Sequence, residues 1–321
     1  MQIFKSLEEV NNIKDTCIAL GNFDGVHKGH QQLIKECVLA AKEKGLVPSV
    51  FTFTNHPVNE MAGKVVVKNI MNFEEKAAFL EGMGVEYLFS ITFDEFVRQS
   101  SPQVFLEDIL LKTLKMKHAV CGFNYHFGYK AAGDGTYLHD HAEELGYGLT
   151  IVPEVVIDGN TVSSTLIRGI IDEGRMEDYE KYTGRLYTLD GTVVQGRHLG
   201  RRIGFPTVNL SLNPDEALPP NGVYVTRTYV NSGSEPNACE ESAGKWYNSI
   251  TNVGNKPTVG AFAKNAETHI FDFEGDLYGK DVRVVFIKMT RPERKFSGLE
   301  ELQAQINRDC RDAEEYFKTN K

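Results

Sequence analysis

The sequence predicts two domains of different class: an α/β domain with a parallel sheet, then a small antiparallel β-barrel or sandwich that ends in a helix. Three observations support this division. Strand-like and helix-like stretches alternate along the first half, short β-branched runs replace them after Arg185, and 321 residues exceed the length of one typical domain. We therefore expect one domain over 1–183 and a second over 184–321.

Hydrophobic periodicity defines the elements of the first domain. A strand over 17–20 closes at Gly21, a helix begins near Gly29 and stops at Gly45, and a strand follows over 47–53. This strand–helix–strand order favours a parallel sheet. The same rhythm predicts further helices over 73–80, 102–114, 164–173 and 176–182, and further strands over 85–89, 118–121 and 149–156.

The pattern changes in the second domain, where apolar runs are separated by glycine, proline and asparagine. Such spacing is typical of antiparallel strands. A final helix follows, for which Ser297 and Glu300 form a capping-box pattern. The predicted strands cover 223–230, 246–253, 268–273 and 282–289, and the polar stretch 232–242 is expected to be a hairpin loop.

Composition and charge narrow the class of protein. A net charge of -9 argues against a general nucleic-acid binder, which needs an excess of lysine and arginine. The five cysteines are scattered and form no C-x-x-C pair, as expected of reduced thiols. The first residues, MQIFK and the polar stretch after them, predict no signal segment, and no apolar run is long enough to predict a membrane span. We expect a cytoplasmic protein without nucleic-acid or membrane partners; the sequence does not indicate an oligomeric state.

The stretch 21–30, GNFDGVHKGH, leaves a strand and enters a helix. Backbone N–H groups at a helix N-terminus favour bound phosphate, and Gly25 and Gly29 permit close backbone approach. His27 and His30 could face the same phosphate and stabilise the charge that develops on it. Two alternatives stay open: one histidine packs while the other is solvated, or the pair binds zinc, although no third ligand is evident.

A second strand-to-helix entry lies at Ser163, Ser164 and Thr165, with Arg168 following. Hydroxyl and N–H groups there can hold phosphates, and a guanidinium adds a forked cation. The alternative is an ordinary helix cap followed by a surface arginine.

In the second half, a basic glycine-rich loop over 196–204 runs into Thr207 and Asn209. A flexible cationic loop suits closure over nucleotide phosphates, and hydroxyl and amide oxygens suit Mg²⁺. Glu267 begins a strand-like run, where a carboxylate could take the proton of an attacking hydroxyl. The alternatives are a solvated basic turn or nucleic-acid patch for the loop, and a solvated charge for Glu267.

Together these stretches resemble the bacterial bifunctional riboflavin kinase/FAD synthetases. Residues 21–30 together with 163–168 are similar to nucleotidyltransferases that carry a His-x-Gly-His signature, and among these to the FMN adenylyltransferases. Residues from Arg185 onward are similar to riboflavin kinases and include Pro-Thr-x-Asn at 206–209. The resemblance implies a Rossmann-like parallel-sheet domain followed by an antiparallel barrel. It also implies riboflavin, FMN and ATP as substrates and Mg²⁺ as cofactor.

The resemblance further implies roles for individual residues. Glu267 is the expected base of the kinase, and His27 and His30 are the expected catalytic pair of adenylyl transfer. Thr207 and Asn209 are expected to serve the metal. The expected flavin-binding residues are Asn124, Arg291 and Phe296, and the expected ATP-binding residues are Gly21, Asn22, Phe23, Asp24, Gly29, Ser163, Ser164, Thr165, Arg168, Gly196 and Gly204.

Two other functions stay open. The chain could adenylylate a different phosphate ester and use the barrel as a flavin sensor, or it could be a flavin-binding regulator with vestigial sites. The Pro-Thr-x-Asn signature and Glu267 argue against the first, and retention of both histidines argues against the second. The flavins formed from riboflavin and ATP distinguish the three functions.

Overall fold

The structure is a computed structural model that describes residues 1–196, 200, 204–231, 244–258 and 261–320. It divides into two compact units, Met1–Ile167 and Arg168–Lys321. The predicted hairpin loop and the basic residues 197–199 and 201–203 lie outside the described residues. Among the helices of the described part, each is too short or too polar to span a bilayer.

The first unit contains a six-stranded parallel sheet with strand order β1-β4-β3-β2-β5-β8, which confirms the predicted fold class. The chain moves from β2 outward through β3 and β4, then returns to the other side of β2 for β5. The sheet therefore has a topological switch point between β2 and β5, where α/β proteins place ligands. The strands of the sheet are β1 (Gln2–Phe4), β2 (Thr16–Leu20), β3 (Val47–Phe53), β4 (Tyr87–Ile91), β5 (Met116–Gly122) and β8 (Gly148–Val152). Two short antiparallel pairs lie outside it: β6 (His126–Phe127) with β7 (Gly133–Asp134), and β9 (Val156–Ile157) with β10 (Asn160–Thr161).

Both faces of this sheet are covered. Cys17 and Ala19 of β2 pack toward the first helix, whereas Ile18 and Leu20 belong to the apolar cluster on the opposite face. Because alternate side chains of a strand point to opposite faces, a central strand covered on both sides is apolar throughout. The α-helices that precede the barrel in the chain are α1 (Lys28–Lys44), α2 (Pro57–Ala62), α3 (Phe73–Gly82), α4 (Glu95–Gln99), α5 (Pro102–Val104), α6 (Gly135–Leu145), α7 (Ser164–Asp172) and α8 (Met176–Thr183).

Two predicted elements of this half differ in detail. The helix predicted over 102–114 continues from α5 as a π-helix over Phe105–Thr113, in which the Leu114 N–H donates to the Ile109 carbonyl, five residues back. The strand predicted over 149–156 is wrong in its end: β8 stops at Val152, since Pro153 has no N–H to continue the ladder. The predicted stop of α1 at Gly45 is confirmed, and this glycine has a φ of 67°.

The second unit contains a closed antiparallel barrel with strand order β11-β12-β15-β14-β13-β16, as the resemblance implied. The predicted strand 268–273 is wrong at both ends, because β15 begins at Ala261 and stops at Ile270, shortly before Asp272 adopts a φ of 54°. The strands are β11 (Tyr187–Val194), β12 (Val208–Leu210), β13 (Gly222–Asn231), β14 (Gly244–Thr258), β15 (Ala261–Ile270) and β16 (Asp281–Pro292).

The chain closes with α9 (Leu299–Thr319), which packs its apolar face on the outside of the barrel. Ala313 and Phe317 of α9 contact the cluster that contains Val223 and Ile250. The predicted capping box is wrong, because the helix cap is Gly298 and the Ser297 backbone N–H and hydroxyl both donate to Glu301 (2.9 and 2.8 Å). The helix starts one residue later than predicted, so Glu301 takes the place expected for Glu300.

Candidate active sites

The turn after β2 is held by unusual backbone conformations. Phe23, Gly25 and Val26 have φ values of 49°, 75° and 28°. Positive φ is uncommon outside glycine, and for a β-branched residue it is a true outlier. A Cβ on Gly25 would lie 2.8 Å from the Ile70 side chain. The turn is therefore both conformationally demanding and tightly packed, a combination that is common at functional sites.

The two histidines of this turn lie together. Their rings stack with centroids 3.7 Å apart and an angle of 17° between planes. His27 caps α1, since its Nδ1 accepts a hydrogen bond from the His30 backbone N–H at 3.3 Å, and the residue is buried. Gly29 leaves room for this arrangement, because a Cβ there would lie 3.2 Å from the His27 ring. The pair thus presents two imidazoles side by side at the start of a helix.

The turn is anchored by its own polar groups. The Asp24 carboxylate accepts a hydrogen bond from the Ile70 N–H at 2.9 Å, and the Asp24 carbonyl accepts one from the Ser164 hydroxyl at 2.9 Å. The Asn22 carbonyl accepts hydrogen bonds from Thr52 Oγ1 (2.8 Å) and Lys76 Nζ (3.4 Å). Asp24 and Ser164 therefore fix the shape of the turn, in addition to any contact that they make with nucleotide.

Lys76 also reaches this turn, although the sequence did not predict it. Burial lowers the pKa of its ammonium group, and the charge of Asp24 opposes that shift. Its position on α3 beside the apolar residues Ala77 and Leu80 gives no signal in the sequence that it approaches the turn. Only the fold brings this cation to the Asn22 carbonyl.

The remaining residues predicted for adenylyl transfer lie at the start of α7 and after strand β5. Ser163 Oγ accepts a hydrogen bond from the Leu166 N–H at 3.2 Å, and Thr165 is exposed in the first turn of α7. Arg168 follows one turn after Ser164, beyond the division between the units. Asn124 is exposed just after β5. Because β2 and β5 are parallel neighbours, Gly21 and Asn124 follow their carboxyl ends at the switch point.

In the barrel, cross-strand register brings the predicted polar residues together. Asn209 of β12 lies directly opposite Glu267 of β15, where Cβ atoms are typically about 4.5–5.5 Å apart. Asn209 is buried and Glu267 is half-buried. Thr207 precedes β12 and lines the same cleft as Glu267. Residues separated by more than fifty positions in the sequence thus share one site.

The glycines before this strand allow close approach. A Cβ on Gly196 would lie 2.3 Å from the Asn209 amide nitrogen, so the backbone of Gly196 lies against that side chain. Gly204 has a φ of 87° and therefore adopts a conformation that favours glycine. His269 Nδ1 also lies 2.8 Å from the Pro206 carbonyl and connects β15 to the Pro-Thr-x-Asn segment.

The barrel site opens into a cleft of about 310 Å³. Its walls include Glu267 and the two residues predicted to bind flavin, Arg291 and Phe296. The Arg291 guanidinium lies 5.9 Å from the Phe296 ring and forms a forked ion pair with the buried Asp309 of α9 (Nε–Oδ1 3.0 Å, Nη2–Oδ2 2.7 Å). Asp309 was missed from the sequence, where it is one of many acidic residues on an amphipathic helix.

The donor chemistry of the barrel site fits Mg²⁺. The Thr207 hydroxyl and the Asn209 amide oxygen are hard oxygen donors, and Mg²⁺ in phosphoryl-transfer sites takes few protein ligands and retains waters and phosphate oxygens. Within the described residues, no cluster of three or more histidine, cysteine, aspartate or glutamate side chains could hold a metal ion. Two neutral oxygen donors, Thr207 and Asn209, agree with the small number of protein ligands that Mg²⁺ takes in such sites.

Two protein families match the chain, one in each half. A FAD synthetase family model matches residues 9–166 and a riboflavin kinase family model matches residues 183–317. The bifunctional riboflavin kinase/FMN adenylyltransferase of Bacillus subtilis is 34% identical over 94% of this chain and 92% of its own length. The protein of the same name from Escherichia coli K12 is 30% identical over 100% of this chain and 99% of its own.

A solved structure described as a macrolide-efflux protein from Streptococcus pneumoniae superposes with a TM-score of 0.85 at 29% identity, covering 97% of this chain and 98% of that one. The order of the two family matches is also the order of the parallel-sheet unit and the barrel. This chain belongs to the family of bifunctional riboflavin kinase/FMN adenylyltransferases.

Proposed function

We propose that this chain makes two flavin cofactors in sequence. The barrel phosphorylates riboflavin to FMN with ATP, and the α/β unit joins FMN to the adenylyl group of a second ATP, giving FAD and pyrophosphate. The observation that supports this most directly is a polar cluster in each unit. One is the stacked pair His27 and His30 beside the switch point, and the other is Asn209 opposite Glu267 in the barrel.

In the kinase step, Glu267 is the general base. Its carboxylate takes the proton of the ribityl 5′-hydroxyl while that oxygen attacks the γ-phosphorus and the bond to the ADP oxygen breaks. Glu267 is half-buried and lies in the wall of the cleft. Arg291 and Phe296 hold the isoalloxazine end of riboflavin, since both lie in the same cleft.

Thr207 and Asn209 would hold Mg²⁺ together with the nucleotide. When bound, Mg²⁺ neutralises charge on the β- and γ-phosphates. Gly196 and Gly204 bracket the basic loop, and their backbone contacts ATP without obstruction by a side chain.

In the adenylylation step, the FMN phosphate attacks the α-phosphorus of ATP and pyrophosphate leaves. His27 and His30 stabilise the charge that develops on the α-phosphate, because both rings lie together at the start of α1. Gly21, Asn22, Phe23, Asp24 and Gly29 shape the turn that holds the ATP. Ser163, Ser164, Thr165 and Arg168 hold the leaving pyrophosphate, and Asn124 contacts the flavin.

We also propose a cytoplasmic location. Among the described cysteines, Cys17, Cys37, Cys121 and Cys310 are free thiols. The Cys37 and Cys17 sulfurs lie within hydrogen-bonding distance, 3.6 Å apart, and buried, scattered thiols of this kind are typical of proteins in a reducing compartment.

The test is direct. The purified chain is incubated with riboflavin, ATP and Mg²⁺, and the flavins are separated by chromatography over time. FMN should accumulate first and FAD should follow. FMN as the final product would refute the second activity, and unchanged riboflavin would favour a flavin-binding regulator.

A further inference from the structure

We propose that Asn265 is a positioning residue of the kinase site, which orients both the base and the amide of Asn209. This inference rests on the proposed kinase function of the barrel. It assigns a role to a residue that lies outside both the Pro-Thr-x-Asn signature and the Glu267 position.

The register of β15 places Asn265 on the same side of the strand as Glu267, because side chains two residues apart share a face. Asn265 is buried, with 8% of its surface exposed. Its Nδ2 lies 3.1 Å from Glu267 Oε1 and 3.4 Å from Asn209 Oδ1. One amide group therefore connects the proposed base to the proposed metal ligand across two strands.

The chemistry of the amide makes this contact directional. The NH₂ group of asparagine carries two N–H donors and accepts nothing. Both groups that face it must therefore present oxygen, which fixes the Asn209 side chain with Oδ1 toward Asn265. An amide oxygen has two lone pairs, so Asn209 Oδ1 can accept this hydrogen bond and still bind a cation.

The same amide fixes the direction of the base. A carboxylate that accepts a hydrogen bond from a buried amide loses freedom to rotate, and Glu267 is held in this way in the wall of the cleft. A base must lie within about 2.6–3.2 Å of the proton that it takes. Loss of Asn265 should therefore reduce turnover more than it reduces riboflavin binding, since Asn265 does not line the cleft.

Two variants separate a donor role from a packing role. Asn265→Ala removes the amide, and Asn265→Asp keeps its shape while it replaces both donors with acceptors beside Glu267. We expect kcat for FMN formation to fall at least about tenfold in both variants, the loss that one hydrogen bond to a charged group produces. The KM for riboflavin should stay within about twofold of wild type, because the substitution is expected to weaken stabilisation of the transition state and not the binding of riboflavin.

The protein supplies its own controls. Adenylylation of added FMN in the first unit should be unchanged in both variants. Asn213→Ala is a matched control, since Asn213 Nδ2 also faces a carboxylate (Glu216 Oε1, 3.3 Å) on an exposed loop, and it should keep wild-type kcat. Trp246 is the one tryptophan of the chain and lies on β14, so its fluorescence reports barrel folding.

The outcomes divide cleanly. A wild-type kcat in Asn265→Asp would overturn the donor role. Loss of riboflavin binding in both variants would also overturn it, because that loss would show that Asn265 has a structural role. If wild-type chain makes no FMN, the proposed function fails. If wild type makes FMN and Glu267→Gln does not, while both Asn265 variants retain kcat, the inference about Asn265 fails alone.

Discussion

The two candidate sites are assembled in different ways. In the α/β unit, a turn of ten residues places His27 and His30 with their rings 3.7 Å apart, and three positive φ values hold the turn. In the barrel, Asn209 and Asn265 are 56 residues apart and meet only because β12 pairs with β15. A local site depends on backbone conformation, whereas a cross-strand site depends on register.

Among the variants that test this comparison, Glu267→Gln should have the largest effect. Replacement of a general base typically costs about 10²–10⁴ in rate, so FMN formation should fall by that factor. Adenylylation of added FMN should continue, because the first unit carries its own catalytic pair. Both rates are measured by flavin chromatography, with riboflavin or FMN as the starting flavin. A wild-type rate of FMN formation would remove Glu267 as the base.

The converse variant is His30→Ala. Loss of one preorganised group that stabilises a developing charge typically costs about 10²–10³, and FAD formation from FMN should fall by at least that factor. FMN formation from riboflavin should persist. The same chromatographic assay measures both steps. Equal loss of both activities would show that the two sites are not independent.

The difference between the sites also explains what the sequence could predict. The α/β turn could be singled out in the sequence, because a strand, two glycines and two histidines three residues apart are contiguous. The order of the parallel sheet was not predicted, yet it is what places Gly21 beside the end of β5. Lys76 was missed because its contact with the Asn22 carbonyl joins residues 54 positions apart.

In the barrel, the oxygen chemistry of Thr207 and Asn209 suggested a metal site and the resemblance supported it, whereas Glu267 taken alone favoured a solvated charge. Asn265 and Asp309 were not predicted at all. Asn265 matters through its register with β12, and Asp309 through its ion pair with Arg291. Both depend on pairing and packing between elements distant in sequence, which periodicity cannot reveal.

The predicted boundary between the two domains, after residue 183, stays a prediction.

A smaller effect is expected from Gly25→Ala, which tests whether the turn depends on its backbone. Gly25 and Gly45 both have positive φ, 75° and 67°. A Cβ at Gly25 would collide with Ile70, whereas no atom of the described residues lies within 4 Å of a Cβ at Gly45. Overpacking typically costs about 1–3 kcal/mol. Gly25→Ala should therefore destabilise the first unit by that much more than Gly45→Ala.

Hydrogen exchange followed by mass spectrometry measures this difference, because peptides from residues 16–44 report the first unit alone. FAD formation should fall in Gly25→Ala and stay near wild type in Gly45→Ala. Equal exchange in the two variants would mean that positive φ, and not the contact with Ile70, limits this position.

The smallest effect concerns a chain of buried hydroxyl groups in the barrel. Five buried hydroxyls form a chain in the order Thr228, Ser249, Thr226, Thr251 and Thr268, with oxygen separations of 2.8–2.9 Å. Thr251 lies within the chain and bonds to two neighbours, whereas Thr228 lies at its end. Valine matches threonine in shape but replaces the hydroxyl with a methyl group. Each buried polar group left without a partner costs about 1–3 kcal/mol.

Thr251→Val should therefore lower the free energy of unfolding of the barrel more than Thr228→Val does. Urea unfolding followed by Trp246 fluorescence measures it, since this tryptophan lies on β14 beside Tyr229. Adenylylation of FMN should be unchanged in both variants, because the chain of hydroxyls belongs to the barrel. If the two variants unfold at the same urea concentration, the hydroxyls act as separate pairs. The register that aligns Asn209 with Glu267 would then depend on the backbone ladder and the packing of α9 instead.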